Sequence, residues 1–200
     1  MKYAAAAVLA AAALTGMAGC GGSSDSKADG AKKHVAVIQI MQHGSLDAAN
    51  QGVIDQLAKR GYTADKIEID QQNAQGDQSN LKNIASRFKN AKPNVIIAIS
   101  TPAAQSVANE IANVPIVGIA ITDYVQAKLV KSNEAPGTNV TGASDMNPAT
   151  AQIDLAMKIL PNAKTVGLMY CSSEVNSEIQ ANEMKAYAES LGLNVETRTI

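Results

Sequence analysis

From His34 onward, short apolar runs alternate with longer stretches whose apolar residues recur every three or four positions. The first pattern predicts buried strands and the second amphipathic helices. Val35–Ile40, Ile67–Asp70, Val95–Ile99, Ile116–Ile121 and Val140–Ser144 read as strands. Ser45–Arg60 reads as a helix with Leu46, Val53, Ile54 and Leu57 on one face and Gly61 as its stop signal. Asp77 is placed to cap a helix running through Phe88. Thr101-Pro102 opens another, with Thr as cap and Pro at the first helical position. A short helix is expected over Val125–Val130.

A second unit begins near residue 147. Asn147 is expected to cap a helix reaching Leu160, followed by a strand over Thr165–Tyr170, a helix over Glu174–Leu191 and a strand over Asn194–Ile200. Strands alternating with helices imply an α/β fold with parallel sheets and helices on both faces. In such sheets ligands lie beyond the C-terminal ends of the strands. That directs attention to residues 41–44, 71–76, 100–103, 122–124 and 144–147. Two strands with one or two helices leave a bare sheet edge and a thin core. The second unit is therefore expected to be the start of a larger lobe, or else to be completed by a second copy.

The first 33 residues follow different rules. Ala4–Leu14 is an unbroken apolar run after Met1-Lys2. It falls short of the roughly 20 residues a spanning helix needs and fits the core of an export signal. Small residues Ala18 and Gly19 precede Cys20, in the manner of the lipobox of bacterial lipoproteins. Residues 1–19 are thus expected to be a signal peptide, and Cys20 the lipidated first residue of the mature chain. Residues 20–33, rich in Gly, Ser, Asp and Lys, read as a flexible tether. The position three before the cysteine is Met17, where Leu is more usual, so an ordinary secretory signal with a free Cys20 is the competing reading.

Composition narrows the function. The net charge is −1 and the longest basic run is Lys32-Lys33, which argues against nucleic acid as a partner. The chain carries two histidines. It shows no Ser-His-Asp arrangement, no metal-spaced His/Cys cluster, no dinucleotide fingerprint and no P-loop. No catalytic residue, cofactor or metal is therefore expected.

Several segments carry a family likeness. Asn73–Leu81, Ser100–Gln105, Thr122-Asp123, Ala127–Val130, Val140–Gly142, Ser144–Met146 and Ser172–Glu174 with Asn176-Ser177 occur in the order found in one group of proteins. The chain resembles the tryptophan/tyrosine-type substrate-binding lipoproteins of ABC transporters, from about His34 to Ile200. The resemblance implies a two-lobed type I periplasmic-binding-protein fold with a ligand cleft between the lobes. Carried over, the first lobe spans 34–146 and the second begins at 147 and is incomplete. It implies an amino acid ligand, aromatic by preference, and delivery to an ABC permease by a protein exported and lipid-anchored to the outer face of the cell membrane. A surface lipoprotein without a transport role is the alternative, or a sensor-type ligand-binding module. A transcription regulator would need a helix-turn-helix where the export signal stands.

A bound amino acid needs backbone N–H groups for its carboxylate, an anion for its ammonium and an apolar wall for its side chain. Thr101 and Ala103 open one helix start, and Ser172, Ser173 and Asn176 lie at another. Asp123 and Asp145 are candidate ammonium partners. Tyr124, Tyr170 and Met146 are candidate walls, and His43 sits on a strand–helix loop of the same rim. Each has a plainer alternative: Thr101 as a helix cap, Asp123 as a turn residue, Asp145 as the cap of a hinge turn. Tyr124 and Cys171 depart from the proline and asparagine associated with these family positions.

Replacing the lipobox cysteine, Cys20→Ser, is expected to abolish incorporation of a tagged fatty acid and release the chain from the membrane fraction. Undiminished labelling of the variant contradicts a lipid on Cys20.

Overall fold

The computed structural model describes residues 31–200. The expected signal peptide, Cys20 and most of the tether lie outside the described residues. The described chain holds seven strands and five helices: β1 (Lys33–Gln39), α1 (Gly44–Lys59), β2 (Ile67–Asn73), α2 (Gln78–Ala91), β3 (Val95–Ile99), α3 (Thr101–Glu110), β4 (Ile116–Ile121), β5 (Val140–Ser144), α4 (Ala149–Ile159), β6 (Thr165–Tyr170), α5 (Val175–Ser190) and β7 (Asn194–Thr199). Strands β1–β5 form one sheet in the order β2-β1-β3-β4-β5, and β6–β7 form a second. Every pairing is parallel.

The larger sheet is covered on both faces. Val35, Val37, Ile67, Ile97 and Ile99 point to one side, where Leu46, Ala49, Val53 and Leu57 of α1 pack on them. Ala36, Ile38, Ile96 and Ala98 point to the other, into a larger cluster with Leu81, Ala85 and Phe88 of α2 and Ala103, Ala104 and Val107 of α3. Each large aliphatic side chain so buried stabilises by roughly 1.5–3 kcal/mol. The second lobe is thinner: Ile153, Ala188 and Leu193 form its core, and α4 and α5 cover one face of β6–β7. Met169, on the other face, is 73% exposed. No described helix is long and apolar enough to cross a membrane.

Four local expectations are corrected. β2 continues past Asp70 to Asn73, because Gln71, Gln72 and Asn73 pair with Val37, Ile38 and Gln39 through the backbone, which makes no demand for apolar side chains at a sheet edge. The segment Val125–Val130 forms consecutive turns, not a helix. Asp123 holds the N–H groups of Val125 and Gln126, and Lys128 takes a left-handed φ of 59°. In α3 the cap is Ser100, one residue before the expected Thr101. Asn147 caps nothing: α4 starts at Ala149 after Pro148, with no side-chain cap.

The β4–β5 pairing is irregular in a way that shapes the exit to the second lobe. Its register shifts between Gly118 and Ile121, and Ala120 adopts φ 56°. The Tyr124 side chain fills this bulge. Its hydroxyl donates to Gly118 O at 2.9 Å, with Ala143 O a second acceptor at 3.3 Å. A Cβ on Gly118 would stand 2.7 Å from the Tyr124 hydroxyl, and one on Gly142 (φ 152°) would overlap both Gly118 O and that hydroxyl. Only glycine fits at 142, for steric and conformational reasons alike.

Gly142→Ala is therefore expected to destabilise the fold by about 3 kcal/mol or more, read from urea unfolding. A loss below about 1 kcal/mol would contradict the tight β4–Tyr124–β5 packing.

Candidate functional site

The C-terminal ends of β1, β3, β4 and β5 converge on one rim of the larger sheet, as parallel pairing requires. Ser100 occupies the sharpest bend there. It leaves β3 and starts α3 with φ 96° and ψ 154°, a region costly for any residue with a side chain. Its N–H donates to Ile119 O at 2.9 Å, and its Oγ accepts from Ala103 N at 3.5 Å. This strained elbow was not among the expected site residues. Pro102 pointed to Thr101 as the cap, but it occupies the second helical position and the cap is Ser100.

Thr101 and Ala103 lie in the core. Thr101 is 1% exposed, and its Oγ1 accepts from Thr122 N at 3.4 Å, tying α3 to the end of β4. Their side chains face packing, which leaves the backbone of this turn as what it can offer a ligand. Tyr124, 7% exposed, is spent on the β4–β5 bulge rather than presented as an aromatic wall. Burial first, and the nearby Asp145 carboxylate second, push its phenol up to about 12.

The two candidate aspartates differ. Asp123 accepts from Val125 N at 2.8 Å, Gln126 N at 2.9 Å and Gln126 Nε2 at 3.0 Å. The Gln126 N–H above all holds its carboxyl below the ordinary 3.8. Asp123 is a satisfied turn residue. Asp145 is exposed, just past β5, and its backbone N–H donates to Ile121 O at 3.1 Å. Its carboxylate makes no hydrogen bond or ion pair among the described residues. His43 caps α1, its Nδ1 accepting from Ser45 N at 3.3 Å, with the imidazole exposed.

The second lobe meets this rim through the loop between β6 and α5. Ser172 and Ser173 are exposed there, and Cys171 Sγ lies 3.2 Å from Ser173 Oγ. Ser173 reaches a groove of about 400 Å³ whose other wall is Gln78 and Lys82 of α2 and Pro102, Gln105 and Ser106 of α3. Asn176 donates from Nδ2 to Glu174 Oε2 at 3.3 Å, while its Oδ1 is buried without a partner. The structure thus brings Ser173 to the start of α3, and Asp123, Tyr124 and Asp145 to one corner. His43 follows the neighbouring β1 and is engaged as the cap of α1. Among the described residues no three His, Cys, Asp or Glu side chains gather as a metal site.

Parallel strand ends facing a loop of a second lobe are the layout of a solute-capturing cleft, and comparison with known proteins agrees. Residues 34–200 match the family of ABC transporter substrate binding proteins, and the chain belongs to that family. It is 43% identical over 190 residues to a tyrosine-binding protein of Clostridioides difficile, covering 92% of this chain and 55% of that one. Among solved structures, an ABC domain from Streptococcus pneumoniae in complex with L-Trp superposes with a TM-score of 0.81 at 42% identity, covering 85% of this chain and 58% of that one. A ligand-free, open substrate-binding protein with adhesive properties from Clostridium difficile superposes with 0.65, also at 42% identity, covering 84% and 57%. The fold is of the type I periplasmic-binding-protein kind. The chain spans a little over half the length of these relatives.

The Asp123 turn should depend on pH. Its folded carboxyl titrates below 3.8, so its contribution is complete above that value and fades as pH falls through the folded one. Asp123→Ala is expected to cost about 1 kcal/mol at pH 7. Paired unfolding curves should converge below pH 3.8. A cost that persists unchanged in acid would contradict the carboxylate's capping role.

Proposed function

We propose that this chain is the capturing part of an extracytoplasmic lipoprotein that binds an aromatic amino acid for an ABC importer and performs no chemistry on it. The observation that carries this reading is the likeness to the L-Trp-bound relative, at 42% identity with a TM-score of 0.81. The similarity to a tyrosine-binding protein supports the same ligand class. The export signal and lipobox support the location, and the family supports a membrane permease as partner.

In this reading the ligand lies between the rim of the larger sheet and the β6–α5 loop. Its carboxylate is held by the turn at Ser100–Ala103 and by Ser172 and Ser173. Its ammonium faces Asp145, the candidate acid with lone pairs to spare, and the buried Oδ1 of Asn176 is a second acceptor suited to an N–H donor. Thr101, Tyr124 and Asp123 act behind these groups, fixing the helix start, the β5 exit and the turn. Each lobe supplies part of the contacts, so ligand favours the closed arrangement by its differential affinity for it.

Thermal melts of the chain with L-tryptophan or L-tyrosine test the proposal. A ligand at 100 times its Kd stabilises by about 2.7 kcal/mol, and Asp145→Asn should weaken that ligand by roughly tenfold while leaving the unliganded Tm in place. No shift with any amino acid would sink the proposal. An unchanged affinity in Asp145→Asn would remove Asp145 from the site.

A further inference from the structure

Met41 follows β1 on the sheet rim and is 40% exposed, although the surrounding backbone is held tightly. Gln39, 2% exposed, sends its Nε2 to Met41 O at 2.7 Å and to Asp47 Oδ1 at 2.6 Å, and its Oε1 accepts from Asn50 Nδ2 at 3.2 Å. A buried amide with every hydrogen-bonding arm engaged is costly to disturb. Across from it, Gly76 N donates to Ile40 O at 2.8 Å. Gly76 has φ 77°, and a Cβ there would stand 3.1 Å from Met41 Cε. The residue opposite is thus small where the methionine methyl comes to rest. The arrangement fixes the base of Met41, seats its tip and leaves its flank open at the strand ends.

We propose that Met41 is a specificity-determining residue of the cleft: its thioether forms the apolar surface against which the side chain of the bound amino acid lies. This rests on the amino acid reading above. With Tyr124 committed to the bulge, Met41 and Met146 are exposed apolar side chains on the rim, and Met41 is the one whose backbone and tip are both held in place. An unbranched thioether adapts to flat rings and makes favourable sulfur–aromatic contacts. Gln39 and Gly76 are positioning residues, acting through Met41.

Titration calorimetry of the full chain with L-tryptophan, alongside the variants Met41→Ala and Met41→Leu, tests this. Met41→Ala should weaken L-tryptophan roughly tenfold or more, while Met41→Leu, similar in volume, stays within about threefold. The melt of the ligand-free protein should be the same for all three, because Met41 is substantially exposed, which separates lost contact from lost fold. Equal affinity in Met41→Ala and the unaltered chain overturns the inference and leaves the amino acid reading standing. Failure of the unaltered chain to bind any aromatic amino acid overturns both.

Discussion

Strands β1 and β3 carry apolar side chains on both faces, so neither is stable outside a parallel sheet with helices above and below it. Val35, Val37, Ile97 and Ile99 demand α1 on one side; Ala36, Ile38, Ile96 and Ala98 demand α2 and α3 on the other. Parallel pairing brings the strand ends to a common rim, and each following helix then starts from that rim. The location of the cleft is a consequence of where the sheet is buried. The strain at Ser100 is tolerated because β3 and α3 are both anchored in this core and the chain between them has no freedom to relax.

The exit to the second lobe depends on a smaller device. β5 leads into α4, and its path is set by the register shift against β4. Tyr124 fills the shift, and Gly118 and Gly142 leave room for its hydroxyl. The described chain enters the second lobe through the residues just after this point, beginning with Asp145. A ligand contact at Asp145, as proposed, would sit at that passage.

Much of the fold was legible in the sequence. β3, β4, β5 and β6 match their expected bounds residue for residue; for β3 and β4, which lie inside the larger sheet, a sharp apolar contrast marks each end. The ends of β2 and the start of α4 were less clear, since backbone pairing and a Pro148 start leave little mark on side-chain pattern. The segment 125–130 misled because Ala127, Leu129 and Val130 are buried in the same core as a helix face would be, while Asp123 diverts the backbone into turns. The site was readable as a place and less so as a set of side chains. Residues at strand ends are chosen by spacing, but spacing does not say which way they point. Thr101 and Ala103 turn inward, Tyr124 plugs a bulge, and Met41 keeps its flank open. Ser100 lay in a rim segment that the strand order picked out, but its strain did not show, because backbone strain has no side-chain signature.

The central claim is that an amino acid is held between this rim and the β6–α5 loop. A crystal structure grown with L-tryptophan tests it most directly. The account predicts the ligand's carboxylate at the Ser100–Ala103 turn and the serines of the opposing loop, its ammonium beside Asp145 and its ring over Met41. Ligand bound elsewhere, for instance on the exposed face of β6–β7 around Met169, would contradict it.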